Sequence, residues 1–224
     1  MALNAVLFDF DGTLVDSEPL HFRVWQQLLS THSIEFSEQD YKQLLLGVPS
    51  HQSTRLLIDR FQLDLSAKEL QQQRAAILHA RLSESSPPLM PYAQQTLVRL
   101  KQQGLALALV SASGRREIDR VLDAHAFADV FDTLITGDDI DRAKPNPDCY
   151  LAALKRLDLT PMDSIAVEDT RTGIQAARAA NLPCLAVRNG YTPEHQLAQA
   201  TRTFAHLGEA CDWIVSKVCP GTYP

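Results

Sequence analysis

The 224-residue sequence has no run approaching the 18 or more apolar residues of a membrane-spanning helix. Its opening segment, MALNAVLF, carries no basic stretch ahead of an apolar core, and Asp9 interrupts it too early for an export signal. Basic excess is missing too: 21 Lys and Arg stand against 27 Asp and Glu, a formal net charge of −6. A protein that grips the nucleic-acid backbone needs the opposite balance. The four cysteines, Cys149, Cys184, Cys211 and Cys219, are scattered with no C-x-x-C pair. That argues against a zinc site or a disulfide framework and fits the reduced thiols of a cytosol. Neither G-x-x-x-x-G-K-[ST] nor G-x-G-x-x-G occurs, which disfavours the common nucleotide-binding loops. Internal repeats and low-complexity segments are lacking as well. At 45% hydrophobic and 21% charged residues, the chain reads as a cytoplasmic globular protein of one or two domains. It is expected to be a monomer with no nucleic-acid or membrane partner.

Short aliphatic runs recur with helical patterns between them. Ala5–Phe8, Leu105–Val110, Ile165–Val167 and Cys184–Val187 are continuous and apolar, as parallel strands buried on both faces must be. Segments 93–103, 115–125, 147–157 and 171–180 have helical periodicity, the first stopped by Gly104. Thr203–Ala205 predicts a short edge strand, with a closing helix from 207. The alternation predicts an α/β fold, a doubly wound Rossmann-like parallel sheet. Residues 16–86 break the rhythm. Pro19 sits where a first helical turn would begin, with Leu20, Val24 and Leu28 following at fours. Ser66 and Glu69 form a capping-box pattern ahead of Leu70, Ile77, Leu78 and Leu82, and Pro87-Pro88 closes the segment. The reading is a helical domain, 16–86, inserted into an α/β core made of 1–15 and 87–224.

The first strand runs into AVLFDFDGTLVDS, placing Asp9 and Asp11 where it ends. In extended backbone, side chains two apart project to one side, so both acids face the carboxyl end of the sheet, where open α/β sheets bind ligands. Two such carboxylates suit a hard cation such as Mg²⁺, or a division of labour between nucleophile and proton carrier. A plain turn is the bland alternative, because Asp-Gly is a common turn dipeptide. Three further clusters follow predicted strands. Ser111, in LALVSAS, offers a hydroxyl and nearby amides for a phosphate, or else a helix N-cap. Lys144, in RAKPNPD, is held by prolines on its C-terminal side, or else is a solvated surface lysine. Glu168 and Asp169, in SIAVEDTRTG, add two acids, or else merely match the dipole of the next helix. Four clusters at four strand ends argue for one shared site: acids for a cation, and a cation with hydroxyl and amides for a phosphate.

The order D-F-D-G-T, S-A-S, K-P-N-P-D, E-D-T resembles the haloacid dehalogenase-like superfamily of phosphotransferases over essentially the whole chain. The likeness is to the branch of β-phosphoglucomutase and the sugar-phosphate phosphatases, which carry a helical cap after the first motif. The resemblance implies that Asp9 is the nucleophile forming an aspartyl-phosphate, and that Asp11 protonates the leaving group and then activates water. It implies phosphate binding by Ser111, Ala112, Lys144 and the amides near Gly12 and Thr13, with Lys144 steadying the transition-state charge. The Mg²⁺ shell would comprise Asp9, the Asp11 carbonyl, Glu168 and Asp169. The substrate class it implies is a small-molecule phosphate ester.

His21, near the start of the first cap helix, is a candidate substrate contact, though a lone helical histidine is more often a surface residue. The loop LLLGVPSHQS (44–53) resembles the cap's substrate-facing loop, where mutases of the branch carry an arginine soon after Gly-Val. Here Pro49-Ser50 and then His51 stand in its place, so no guanidinium grips a second phosphate there. This favours a phosphatase over a mutase, with Arg115 as the residue that keeps the mutase reading open. A non-catalytic phosphate-binding module would be expected to lose Asp9, Asp11 or Lys144, and none is lost.

Overall fold

The structure is a computed structural model that describes residues 3–46, 48, 50–127 and 129–218, with the side chains of 50 and 51 outside that description. It divides into two compact units, Met1–Asp16 with Pro88–Pro224, and Ser17–Pro87. In chain order, β1 (Ala5–Phe8) is followed by four helices of the second unit: α1 (Glu18–Ser30), α2 (Glu38–Leu44), α3 (Ser50–Phe61) and α4 (Ala67–Glu84). The first unit resumes with α5 (Ala93–Gln102), β2 (Ala106–Val110), α6 (Arg115–Ala124), β3 (Thr133–Ile135) and α7 (Asp148–Leu157). It ends with β4 (Ser164–Glu168), α8 (Arg171–Ala179), β5 (Cys184–Val187), β6 (Arg202–Phe204) and α9 (Leu207–Val218).

Among the described residues, six strands form one parallel sheet in the order β3-β2-β1-β4-β5-β6. This is the doubly wound Rossmann-like order, in which the chain reverses direction across the sheet between β1 and β4. Ala5 to Phe8 are fully buried, which explains a run with no polar alternation. On one face, Ala5, Leu7, Ala108, Val110 and Ala166 pack with Cys149, Tyr150 and Ala153 of α7 and with Ile174, Ala176 and Ala177 of α8. Small side chains on α8 let that helix lie close to the sheet. Helices α5 and α9 pack together, α5 also on β2 and α9 on β5 and β6.

The helical unit owes its elements to local signals and one apolar cluster. Ser66 Oγ accepts from the Glu69 amide at 3.2 Å, and the Glu69 carboxylate accepts from the Ser66 amide at 2.8 Å, so the anticipated capping box opens α4. Ser37 and Asp40 build a second one at α2. Pro19 occupies the second position of α1, where no amide is needed. Trp25, Leu28, Leu29, Phe36, Tyr41, Leu57 and Leu70 form the unit's core.

Boundaries shift for identifiable reasons. The edge strand is 202–204 rather than 203–205, because the Ala205 amide turns away to donate to Glu209 Oε2 at 2.9 Å and so starts α9. Gln103 caps α5 and Gly104 follows it at φ +77°, the left-handed conformation that ends the helix. Pro147 precedes α7 as its cap instead of opening it. Among the described residues, no helix is long and apolar enough to cross a membrane.

Candidate active site

Strand register assembles the site. Phe8 lies opposite Val167 of β4 and Leu109 of β2, and the Asp9 amide donates to Val167 O at 2.9 Å. Asp9 therefore leaves β1 level with Glu168, which is itself the last residue of β4, paired with Ala186. Asp169 follows at once. One oxygen from each of Asp9, Glu168 and Asp169 falls within 4.8 Å of the others. All three residues are buried, at 8%, 0% and 2% exposure. The cluster sits at the carboxyl ends of β1 and β4, the switch point of the sheet, where open α/β sheets bind ligands.

Lys144 is the counterweight. Its Nζ donates to Asp9 Oδ1 at 2.6 Å, Glu168 Oε1 at 2.7 Å and the Val110 carbonyl at 3.1 Å, which uses all three ammonium protons. It lies 5.2 Å from the centroid of the Tyr150 ring, whose hydroxyl donates to Glu168 Oε1 at 2.6 Å. Burial opposes the ammonium charge, but the Asp9 and Glu168 carboxylates outweigh it and hold Lys144 well above the usual lysine range. One ammonium does not balance three carboxylates. Burial, reinforced by Glu168, pushes Asp9 up to about 7 against the pull of Lys144. Burial, with Asp9 and Glu168 beside it, likewise drives Asp169 well above the carboxylate range. This uncompensated charge, on hard oxygen donors only, fits a divalent cation.

The neighbouring residues shape the cluster. Gly12 adopts φ +80°, and a Cβ there would meet Asp169 Oδ2 at 2.3 Å, so glycine is required on both counts. Its amide donates to Val15 O at 2.8 Å. Gly12 thus supplies shape and its own amide closes the turn. Thr13 is fully buried and its hydroxyl donates to Asp169 Oδ1 at 2.9 Å, so its side chain serves the acid cluster. Gly173 of α8 lets that helix lie against Glu168; a Cβ at 173 would come within 2.0 Å of its carboxylate.

Asp9 and Asp11 part company. β1 stops at Phe8, so Asp11 sits in the turn, bridged to Val15 rather than in extended strand. Its Oδ2 accepts from Ser113 Oγ at 2.7 Å and, more weakly, from Ser111 Oγ at 3.4 Å. The Asp11 carboxylate is not part of the three-acid cluster, and the expected cation contact of this residue is through its carbonyl. Ser111 is 1% exposed; its hydroxyl accepts from the Ser113 amide at 2.9 Å. The helix N-cap alternative for Ser111 does not hold, because Gly114 takes that position on α6. Ala112 lies exposed in the same loop, after β2.

Arg115 is committed elsewhere: its Nε donates to Asp119 at 2.7 Å and its amide to Asp138 at 2.8 Å. His21 belongs to the helical unit, where its Nδ1 lies 3.2 Å from Arg74 Nη2, and the Arg74 guanidinium lies over Trp25. The Pro49-Ser50-His51 segment falls outside the described residues or side chains, as does Cys219.

Sequence reasoning missed three residues. Ser113 was the second serine of a motif from which only the first was drawn. Tyr150 is a fully buried residue of α7, with no motif to mark it in the sequence. Asn189 donates from Nδ2 to Asp169 Oδ2 at 2.7 Å and lies two residues beyond β5. The strand-end logic that found the other clusters also reaches this position.

This sheet order, an acid cluster at its switch point and a helical segment spliced in after the first strand define a class of Rossmann-like hydrolases. The haloacid dehalogenase-like hydrolase pattern matches residues 6–187, and the chain belongs to that family. It is 27% identical over 184 residues to the "phosphorylated carbohydrates phosphatase" of Thermotoga maritima, covering 80% of this chain and 82% of that protein. It is 27% identical over 194 residues to the β-phosphoglucomutase of Bacillus subtilis, covering 84% of each. Among solved structures, CbbY from Rhodobacter sphaeroides in complex with phosphate superposes with a TM-score of 0.82 at 26% identity, over 92% of this chain and 96% of that one.

Proposed function

We propose that this enzyme is a Mg²⁺-dependent phosphatase of small phosphorylated metabolites, sugar phosphates foremost, working through an aspartyl-phosphate on Asp9. The observation that carries the reading is the separation of the two motif acids. Asp9 lies within the cation-ready cluster and against Lys144, while Asp11 is held apart by Ser113. A nucleophile must be ionised when it attacks and a general acid protonated, which requires different surroundings for the two.

In the first half-reaction an Asp9 carboxylate oxygen attacks phosphorus, the ester P–O bond breaks, and Asp11 gives its proton to the departing alkoxide. In the second, the Asp11 carboxylate takes a proton from water as that water attacks phosphorus. The bond to Asp9 breaks, and inorganic phosphate leaves. Lys144 neutralises charge on Asp9 and on the transferring group throughout. Ser111 and the loop at Ala112 hold the phosphoryl oxygens. A Mg²⁺ held by Asp9, Glu168, Asp169 and the Asp11 carbonyl would supply charge neutralisation and alignment, which phosphoryl transfer chiefly needs. The helical unit acts as a cap that selects the substrate, with His21 as its candidate contact. The phosphatase among the relatives, and the phosphate complex of CbbY, support the reading.

The second reading is a phosphosugar mutase, supported by the β-phosphoglucomutase relative. The Arg115–Asp119 pairing weighs against the residue that would have supplied its second phosphate grip. A phosphate-release screen over sugar phosphates with Mg²⁺, including glucose 1-phosphate with a bisphosphate primer, decides between them. Release of phosphate is expected to dominate. Isomerisation to glucose 6-phosphate outpacing release would establish the mutase, and no turnover of any ester would leave a binding module.

A further inference from the structure

We propose that Asn189 is a positioning residue for the cation site, acting through Asp169. This rests on reading the Asp9, Glu168 and Asp169 cluster as that site. The Asn189 amide has a fixed orientation. Its Oδ1 accepts from both the Tyr191 and Thr192 amides at 2.9 Å, which demands an acceptor on that side and turns Nδ2 toward Asp169 Oδ2 at 2.7 Å. The loop that carries it is itself tied down, since the Tyr191 hydroxyl donates to Asp16 Oδ1 at 3.0 Å.

Asp169 thus receives one neutral donor on each oxygen, Thr13 on Oδ1 and Asn189 on Oδ2. The two bonds fix the plane of the carboxylate and leave its remaining lone pairs for a cation. Gly12 permits the approach: a Cβ there would lie 2.9 Å from Asn189 Nδ2 as well as 2.3 Å from Asp169 Oδ2. Neither donor brings charge, so each orients the ligand without competing electrostatically with the cation. Groups that orient a metal ligand from behind are typically worth 10- to 100-fold in metal affinity.

The test measures Mn²⁺ binding to the full-length, EDTA-stripped protein by the EPR signal of free Mn²⁺, without substrate. Three proteins are compared: wild type, Asn189→Leu and Asn189→Ser. A serine hydroxyl can still accept from the amides two and three residues on, preserving the turn, but is too short to reach Asp169. It removes the donor alone, and it keeps the test alive if the leucine variant fails to fold. Both variants are expected to bind Mn²⁺ about 10- to 100-fold more weakly. The serine variant should melt close to wild type without metal, and at saturating cation its kcat should return to within about threefold with KM for the ester unchanged. Wild-type affinity in the serine variant would reduce Asn189 to a turn-former and overturn the proposal. Absence of Mn²⁺ binding by the wild type would instead remove the cation reading on which the proposal stands.

Discussion

Replacing Lys144 by methionine keeps the length of the side chain and deletes its charge, leaving Asp9, Glu168 and Asp169 with no ammonium among them. Lys144 is 8% exposed and bonds two of those acids directly. Deleting one partner of a buried ion pair typically costs about 3–5 kcal/mol, because the remaining charge stays buried. For a chain of this size each kcal/mol lowers the midpoint by roughly 2–4 °C, so the α/β unit should melt about 6–20 °C earlier in EDTA. The cost must also depend on pH. Asp9 already sits at about 7 instead of 3.8, so the unfolded chain gives up this proton first and stability falls as pH rises from about 4 to about 7. Without Lys144 its pKa climbs further, so Asp9 stays protonated at pH 5 and the cost there is smaller than at pH 8. Lys144 itself stays charged, folded or unfolded, between pH 5 and 8, since its folded value lies above 10.5 and its contribution is lost only at higher pH. The assay is urea unfolding in EDTA at pH 5 and pH 8. Trp213 of α9 serves as the reporter in a Trp25→Phe background, because these are the chain's two tryptophans and they lie in different units. A loss below about 1 kcal/mol, equal at both pH values, would refute the claim that Lys144 balances the cluster.

Other consequences are as direct. Asp9→Asn should fold normally yet lose at least about three orders of magnitude in kcat for phosphate release, since an amide is a poor nucleophile; residual turnover within tenfold of wild type would move the covalent step elsewhere. Asp11→Asn should cost about 10²–10⁴ in kcat, with a smaller loss for a good leaving group such as p-nitrophenol, and equal losses for both esters would argue against proton donation. Mg²⁺ at 100 times its Kd should stabilise the α/β unit by about 2.7 kcal/mol in a thermal scan, and EDTA should abolish the gain. Gly173→Ala forces a methyl toward the Glu168 carboxylate and should lower the free energy of urea unfolding by about 1–3 kcal/mol while weakening Mn²⁺ binding; an unchanged unfolding curve would show that α8 yields freely there.

Much of the fold was legible because buried parallel strands must be apolar on both faces. Ala5–Phe8 and Cys184–Val187 carry that requirement openly, and both have the expected bounds. The Ser66–Glu69 box was legible because capping is a local transaction between residues three apart. Strand ends were legible as a site because polar clusters after apolar runs have one common destination in an open sheet. Tyr150 was not legible: its ring earns a core position by size alone, and only the packing of α7 shows its hydroxyl meeting Glu168.

Taken alone, the order of residues fixed which acids, serine and lysine stand at strand ends, and so the chemistry available, because alternation and turn signals act over a few positions. Only the tertiary structure decided how those groups divide the work: Asp9 into the cluster, Asp11 to Ser113, Gly12 to shape, and Asn189 behind Asp169. The hydrogen-bonded pairs Asn189–Asp169, Asp11–Ser113 and Thr13–Asp169 lie 20, 102 and 156 residues apart along the chain. Such pairings depend on strand register and loop course, which no short stretch of sequence encodes.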